Sequence, residues 1–130
     1  MNDKKSIKGF NNAKSTAEDF ANDKEKTGYL LVEAVEKANR NRTVLSNIWD
    51  DLQTLFRLVK SWRNGQYAAV PWQTIIFAIA GIVYFVNPFD IVPDFIPGAG
   101  YLDDATVIGF VLKSIKNDID NFLNWEKNTN

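Results

Sequence analysis

The sequence predicts an all-α fold, a compact bundle of four or five helices around one central apolar helix. Three observations predict it. Apolar residues recur at steps of three and four over 43–64 and again over 104–125. Between these stretches lies Val70–Val86, VPWQTIIFAIAGIVYFV, whose only strongly polar side chain is Gln73. Few segments alternate with period two, so strands are not needed.

Each element follows in order. Residues 1–14 are polar and basic, with Lys4, Lys5, Lys8 and Lys14, and are expected to be a flexible tail. They hold no apolar run and no small-residue cleavage site. A secretory signal is not supported, and the expected compartment is the cytoplasm. The single helical domain is placed at 15–126. Ser15 is expected to open the first helix, because Ser15-Thr16-Ala17-Glu18 has the spacing of a capping box. Ala17, Phe20 and Ala21 begin an apolar stripe, and Leu31, Ala34, Val35 and Ala38 continue it. One helix over 16–40, or two meeting near Thr27-Gly28, fits this pattern. The i,i+4 pairs Glu33–Lys37 and Glu36–Arg40 mark the wet face.

The segment from Thr43 to Asn64 carries Leu45, Ile48, Trp49, Leu52, Leu55, Phe56, Val59 and Trp62 on one wide face. Gly65 suits a left-handed C-terminal cap. Pro71 suits the first turn of the third helix. That helix, 70–86, can be read in two ways. As a membrane span it would extend about 26 Å, short of a hydrocarbon core of about 30 Å. As the centre of a bundle it would be apolar all round because neighbours cover it. The bundle reading is the expectation, and an inner-membrane-associated protein is the alternative.

Residues 87–104, NPFDIVPDFIPGAGYLDD, hold three of the four prolines yet are rich in apolar side chains. They are expected to form an ordered, partly buried connection, with one short helical turn near Pro88–Val92. The last helix, from about Asp104 to Trp125, buries Ile108, Leu112, Ile115, Ile119 and Phe122. The expected core is Leu31, Val35, Ile48, Leu52, Leu55, Val59, Ile76, Ile79, Val83, Phe95, Ile108, Leu112, Ile115 and Ile119. The indole N–H groups of Trp49, Trp62, Trp72 and Trp125 want partners, so partial burial is expected for them.

Composition narrows the chemistry. The 130 residues are 45% apolar and 24% charged, with a formal net charge of −1. There is no Cys and no His. Thiolate and imidazole metal sites, Cys or His nucleophiles and any Ser-His-Asp triad are therefore excluded. The balanced charge gives no reason to expect nucleic acid. The charge is nevertheless uneven: residues 1–66 carry 12 Lys/Arg against 9 Asp/Glu, and residues 67–130 carry 3 against 7. No catalytic residue, metal site or cofactor is expected, and the chain is read as a non-enzyme.

Asp90, Asp94, Asp103 and Asp104 stand close together in the connection. Three jobs are open to them, in decreasing order of expectation. Asn87-Pro88-Phe89-Asp90 has the order of an N-cap, a helix-opening proline and a carboxylate in the first turn, and Asp103 or Asp104 can cap the last helix. The carboxylates can instead pair with Arg57, Lys60 or Arg63, or hold a hard metal ion. The spacing is not that of an EF-hand loop.

The string Tyr84-Phe85-Val86-Asn87-Pro88-Phe89-Asp90-Ile91-Val92-Pro93-Asp94-Phe95-Ile96-Pro97, followed by Gly100-Tyr101-Leu102-Asp103-Asp104, resembles the signature of the YkvA-like family of small bacterial proteins. That signature runs Y-x-x-S/N-P-x-D-L/I-I/V-P-D-x-I-P, then G-Y-x-D-D. The resemblance covers about residues 67–125, while residues 15–66 show amphipathic helices without a family signature. The family is described as a domain of unknown function, often with a predicted membrane segment, and is also found attached to a eukaryotic membrane RING-type ubiquitin ligase. The resemblance implies a fold and a motif rather than an activity. Its motif residues are Asn87, Pro88, Asp90, Pro93, Asp94, Pro97, Gly100, Tyr101, Asp103 and Asp104, expected to be structural first and partner-facing second. The functional expectation is a small protein-interaction module. One concrete form is a bacterial immunity protein or antitoxin that covers a basic toxin domain with its acidic half.

Overall fold

The structure, a computed structural model, describes residues 14–87 and 104–129. Expectations for the tail, for the turn near Pro88–Val92 and for Phe95 in the core lie outside the described residues. Among those residues the fold is all-helical. Helix α1 covers 14–21, α2 Lys24–Arg40, α3 Trp49–Arg63, α4 Trp72–Val86, α5 Asp104–Ser114 and α6 Lys116–Thr129, with a 3₁₀ turn at Ser46–Ile48. Two of the junctions are breaks within a single run of helix. The six segments thus correspond to the four rods read from the sequence.

The first break falls at Asn22-Asp23, not at Thr27-Gly28. Asp23 is the N-cap of α2, and its carboxylate accepts from the backbone N–H of Lys26 at 3.1 Å. The buried Thr27 hydroxyl fastens the break, donating within reach of the carbonyls of Phe20 (2.6 Å) and Asp23 (3.1 Å). Gly28 therefore lies inside a helix. Ser15 does not open α1, because residue 14 is already helical. The second break, at Ile115, leaves helical bonding in place: Ile115 N–H donates to Val111 and Ile119 N–H to Ile115. The apolar stripe runs through it without interruption, so periodicity gave no sign of it.

Helix α3 starts at Trp49, six residues later than expected, because 43–45 form a turn and Ser46–Ile48 winds as 3₁₀. Its other end is as expected. Gly65 has φ +77°, its N–H donates to the Trp62 carbonyl, and Gln66 N–H donates to the Ser61 carbonyl. This pair of bonds is a Schellman cap, which needs the left-handed backbone that glycine adopts without strain.

Helix α4 is the centre. Eleven of its fifteen residues are buried, and α2, α3 and α5 all pack on it. The closest approach is at Gly81, where an added Cβ would lie 2.9 Å from Val111 Cγ2 of α5. Phe85 at the other end meets Phe56 of α3, ring centroids 6.5 Å apart. Helix α6 closes the bundle against α3, burying its Ile119 and Phe122, and Arg57 grips Glu126 with two hydrogen bonds of 2.9 and 3.1 Å. The described core matches the expected one with two departures. Ile48 is only partly buried, and Val35 is 37% exposed. The buried stripe of α2 is Thr27, Leu30, Leu31, Ala34 and Ala38. Val35 lies at the edge of that stripe, on the side facing α3.

Candidate functional site

Of the ten motif residues, Asn87 and Asp104 are described and the other eight lie outside the described residues. Asn87 is exposed and is the C-cap of α4, its N–H donating to the Val83 carbonyl at 2.8 Å. It thus ends one helix, and its expected role of opening the next turn lies outside the described residues. Asp104 is the first residue of α5.

The end of α4, where the motif begins, is held by a residue the sequence reading put elsewhere. Helix α4 has no basic residue in its last turn. Lys37 of α2 supplies one: its ammonium donates to the Phe85 carbonyl and sits 5.1 Å from the centre of the Phe85 ring. A cation is favoured there, since the last carbonyls of a helix are the negative end of its dipole. Lys37 is half-buried rather than part of the wet face. A signal existed: it stands seven residues after Leu30, two turns along the edge of the buried stripe. Two of the three cations expected to face the acidic connection have described partners elsewhere. Arg57 binds Glu126, while Arg63 donates to the Lys24 carbonyl and to Asn64.

A polar contact joins α4 to α6 at the opposite end. Pro71, the N-cap of α4, has no capping side chain. The Thr74 hydroxyl in the first turn instead donates to Asp118 at 2.6 Å, bringing a carboxylate to the positive end of the helix. Tyr67 is buried beside this pair, its ring against Phe122 (5.1 Å) and Trp125 (4.9 Å). Burial, and then the Asp118 charge, push the Tyr67 phenol above its ordinary value of 10.0. It therefore stays protonated at neutral pH, and its ring packs as part of the core.

A groove of about 760 Å³ lies between α2 and α3. Leu31 lies at its base, and Tyr29, Val32 and Val35 rise along one wall with Glu25 and Glu36. Lys60 and Arg63 form the other wall. Gly28 makes room for the Arg63 guanidinium, which a Cβ at that position would approach to 2.8 Å. Sequence reasoning missed this groove because Leu31 and Val35 read as core positions, while Tyr29 and Val32 fall outside the expected stripe. Among the described residues no group of three or more acidic side chains is placed to hold a metal ion. No described helix is long and apolar enough to cross a membrane.

Comparison with known proteins adds the following. A family described as "Protein of unknown function (DUF1232)" matches residues 74–110, which span nearly all of α4, the connection and the first part of α5. The uncharacterized membrane protein YkvA of Bacillus subtilis (strain 168) is 34% identical over 102 residues, covering 78% of this chain and 96% of the relative. That similarity reaches beyond the stretch 67–125 that carries the motif. No solved structure matches.

Proposed function

Since the chain belongs to the YkvA-like family, whose function is unknown, we propose that it is a non-enzymatic helical interaction module that works at a membrane as a folded body. One observation carries the proposal: the helix apolar enough to suggest insertion is already covered by α2, α3 and α5. At fifteen residues it is about 22 Å long, against a hydrocarbon core of about 30 Å. Moving it into lipid would strip the cover from Val111 and Phe56, which are buried against it. The loss would be about 25 cal/mol for each Å² of apolar surface returned to water. Membrane placement draws its support from the relative, a protein named for the membrane. The non-enzymatic part draws on composition, since a chain without Cys or His lacks the thiol nucleophile and the imidazole base.

The narrower role of immunity protein or antitoxin, with a basic toxin domain against the acidic half, draws no support from the family or from the relative. Cell fractionation tests the proposal. The protein should sediment with membranes and leave them on carbonate washing. Retention until detergent is added would favour an inserted α4.

A further inference from the structure

Helix α2 presents two unlike faces. One packs on α3 and α4. The other leaves Tyr29 70% exposed, Val32 57% and Val35 37%, at successive steps of three. An apolar row of this kind is unusual on a helix otherwise rich in Glu and Lys, and it borders a groove large enough for side chains from another helix. Four charges frame it: Glu25 and Glu36 on the α2 wall, Lys60 and Arg63 on the α3 wall.

We propose that this face binds a second copy of the chain, with α2 of each protomer seated in the α2–α3 groove of the other. The charge pattern selects that occupant. Under a two-fold axis the acidic wall of one copy meets the basic wall of its partner, twice over, and the sum of the frame is zero. A strongly basic or acidic partner would be repelled by half of the frame. An anionic lipid surface would meet Glu25 and Glu36 alongside the apolar row, with Glu33 exposed on the same helix. Tyr29 is the natural anchor, since an exposed aromatic entering a partner's groove is a common centre of binding energy.

Sedimentation velocity on the full chain, over a range of concentrations in detergent-free buffer, tests this directly. The wild type should pass from monomer to dimer as concentration rises. Val32→Glu should remain monomeric with an unchanged melting temperature, because the side chain is exposed on the outer face. Glu36→Lys alone and Lys60→Glu alone should each dimerise at least about tenfold more weakly through like-charge contacts. An equal mixture of the two should recover a dimer, since the swapped walls then face each other correctly. A wild type that stays monomeric throughout, or a Val32→Glu variant that still dimerises, overturns the proposal. So does a mixture that fails to recover. Binding of phosphatidylglycerol vesicles that is lost in Val32→Glu would reassign the face to lipid.

Discussion

Helices α4 and α2 are a study in contrasts. By hydropathy α4 is the obvious candidate for lipid and α2 an ordinary amphipathic helix. In the fold α4 is the better hidden of the two, with only Trp72 and Gln73 exposed. Helix α2 leaves three apolar side chains partly or mostly in water. The lesson is that apolar content measures how much a segment needs cover, not what provides it. Helix α4 finds its cover within the chain. The outer row of α2 does not, and that is where a partner has something to gain.

The sharpest way to break the contrast is to delete side chains from each helix. Ile79→Ala on α4 removes methyls from a fully buried site and should cost about 2–5 kcal/mol in denaturant unfolding. Val32→Ala on α2 should stay within about 0.5 kcal/mol when measured on the monomer. Equal losses would show that the outer row of α2 is part of the core.

The two helices also carry glycines with equally close neighbours, and the nature of the neighbour decides the sign. At Gly81 the obstacle is Val111, a short branched side chain held in the core. Gly81→Ala should cost about 1–3 kcal/mol, largely recovered when combined with Val111→Ala. At Gly28 the obstacle is the far end of Arg63, which can swing into the groove. The gain in helix propensity and the lost bond to Lys24 then nearly cancel, so Gly28→Ala should change stability by less than about 1 kcal/mol.

Much of this architecture was legible in the sequence. The stripe of α3, its glycine cap and the burial of α4 followed from periodicity and turn chemistry, because those signals are local. What escaped depended on neighbours distant in sequence. Val35 has the spacing of a core residue but looks into the groove opposite Lys60. Lys37 has the spacing of a surface ion pair but reaches a carbonyl 48 residues away. Ser15 matched a capping box, whereas the described cap is Asp23, supported by Thr27 reaching back seven residues. Of the candidate site, the motif was legible as a string, and its described ends mark where α4 stops and α5 starts. The groove was not legible, because a pattern of apolar residues does not reveal which of them a neighbouring helix fails to cover.

Smaller effects sharpen the account of how α6 holds α4. Thr74→Val removes the donor to Asp118 and should cost about 1–2 kcal/mol, with the loss measured by thermal or denaturant unfolding. Tyr67 gives a pH signature. Its folded-state pKa is raised, so its share of stability is fully present below pH 10.0 and is lost as pH rises through the folded value. The wild type should therefore lose stability in alkali more steeply than Tyr67→Phe, in paired denaturant titrations near neutrality and above pH 10.0. Parallel losses would remove Tyr67 from the account.

The covering of α4 by its own protein can be measured in place. The chain has no cysteine, so Ala80→Cys provides one thiol at a buried position on that helix. A lipid-soluble maleimide applied to membranes containing the protein should leave this thiol unmodified until denaturant unfolds the bundle. Rapid labelling from the lipid phase in the native protein would contradict the account.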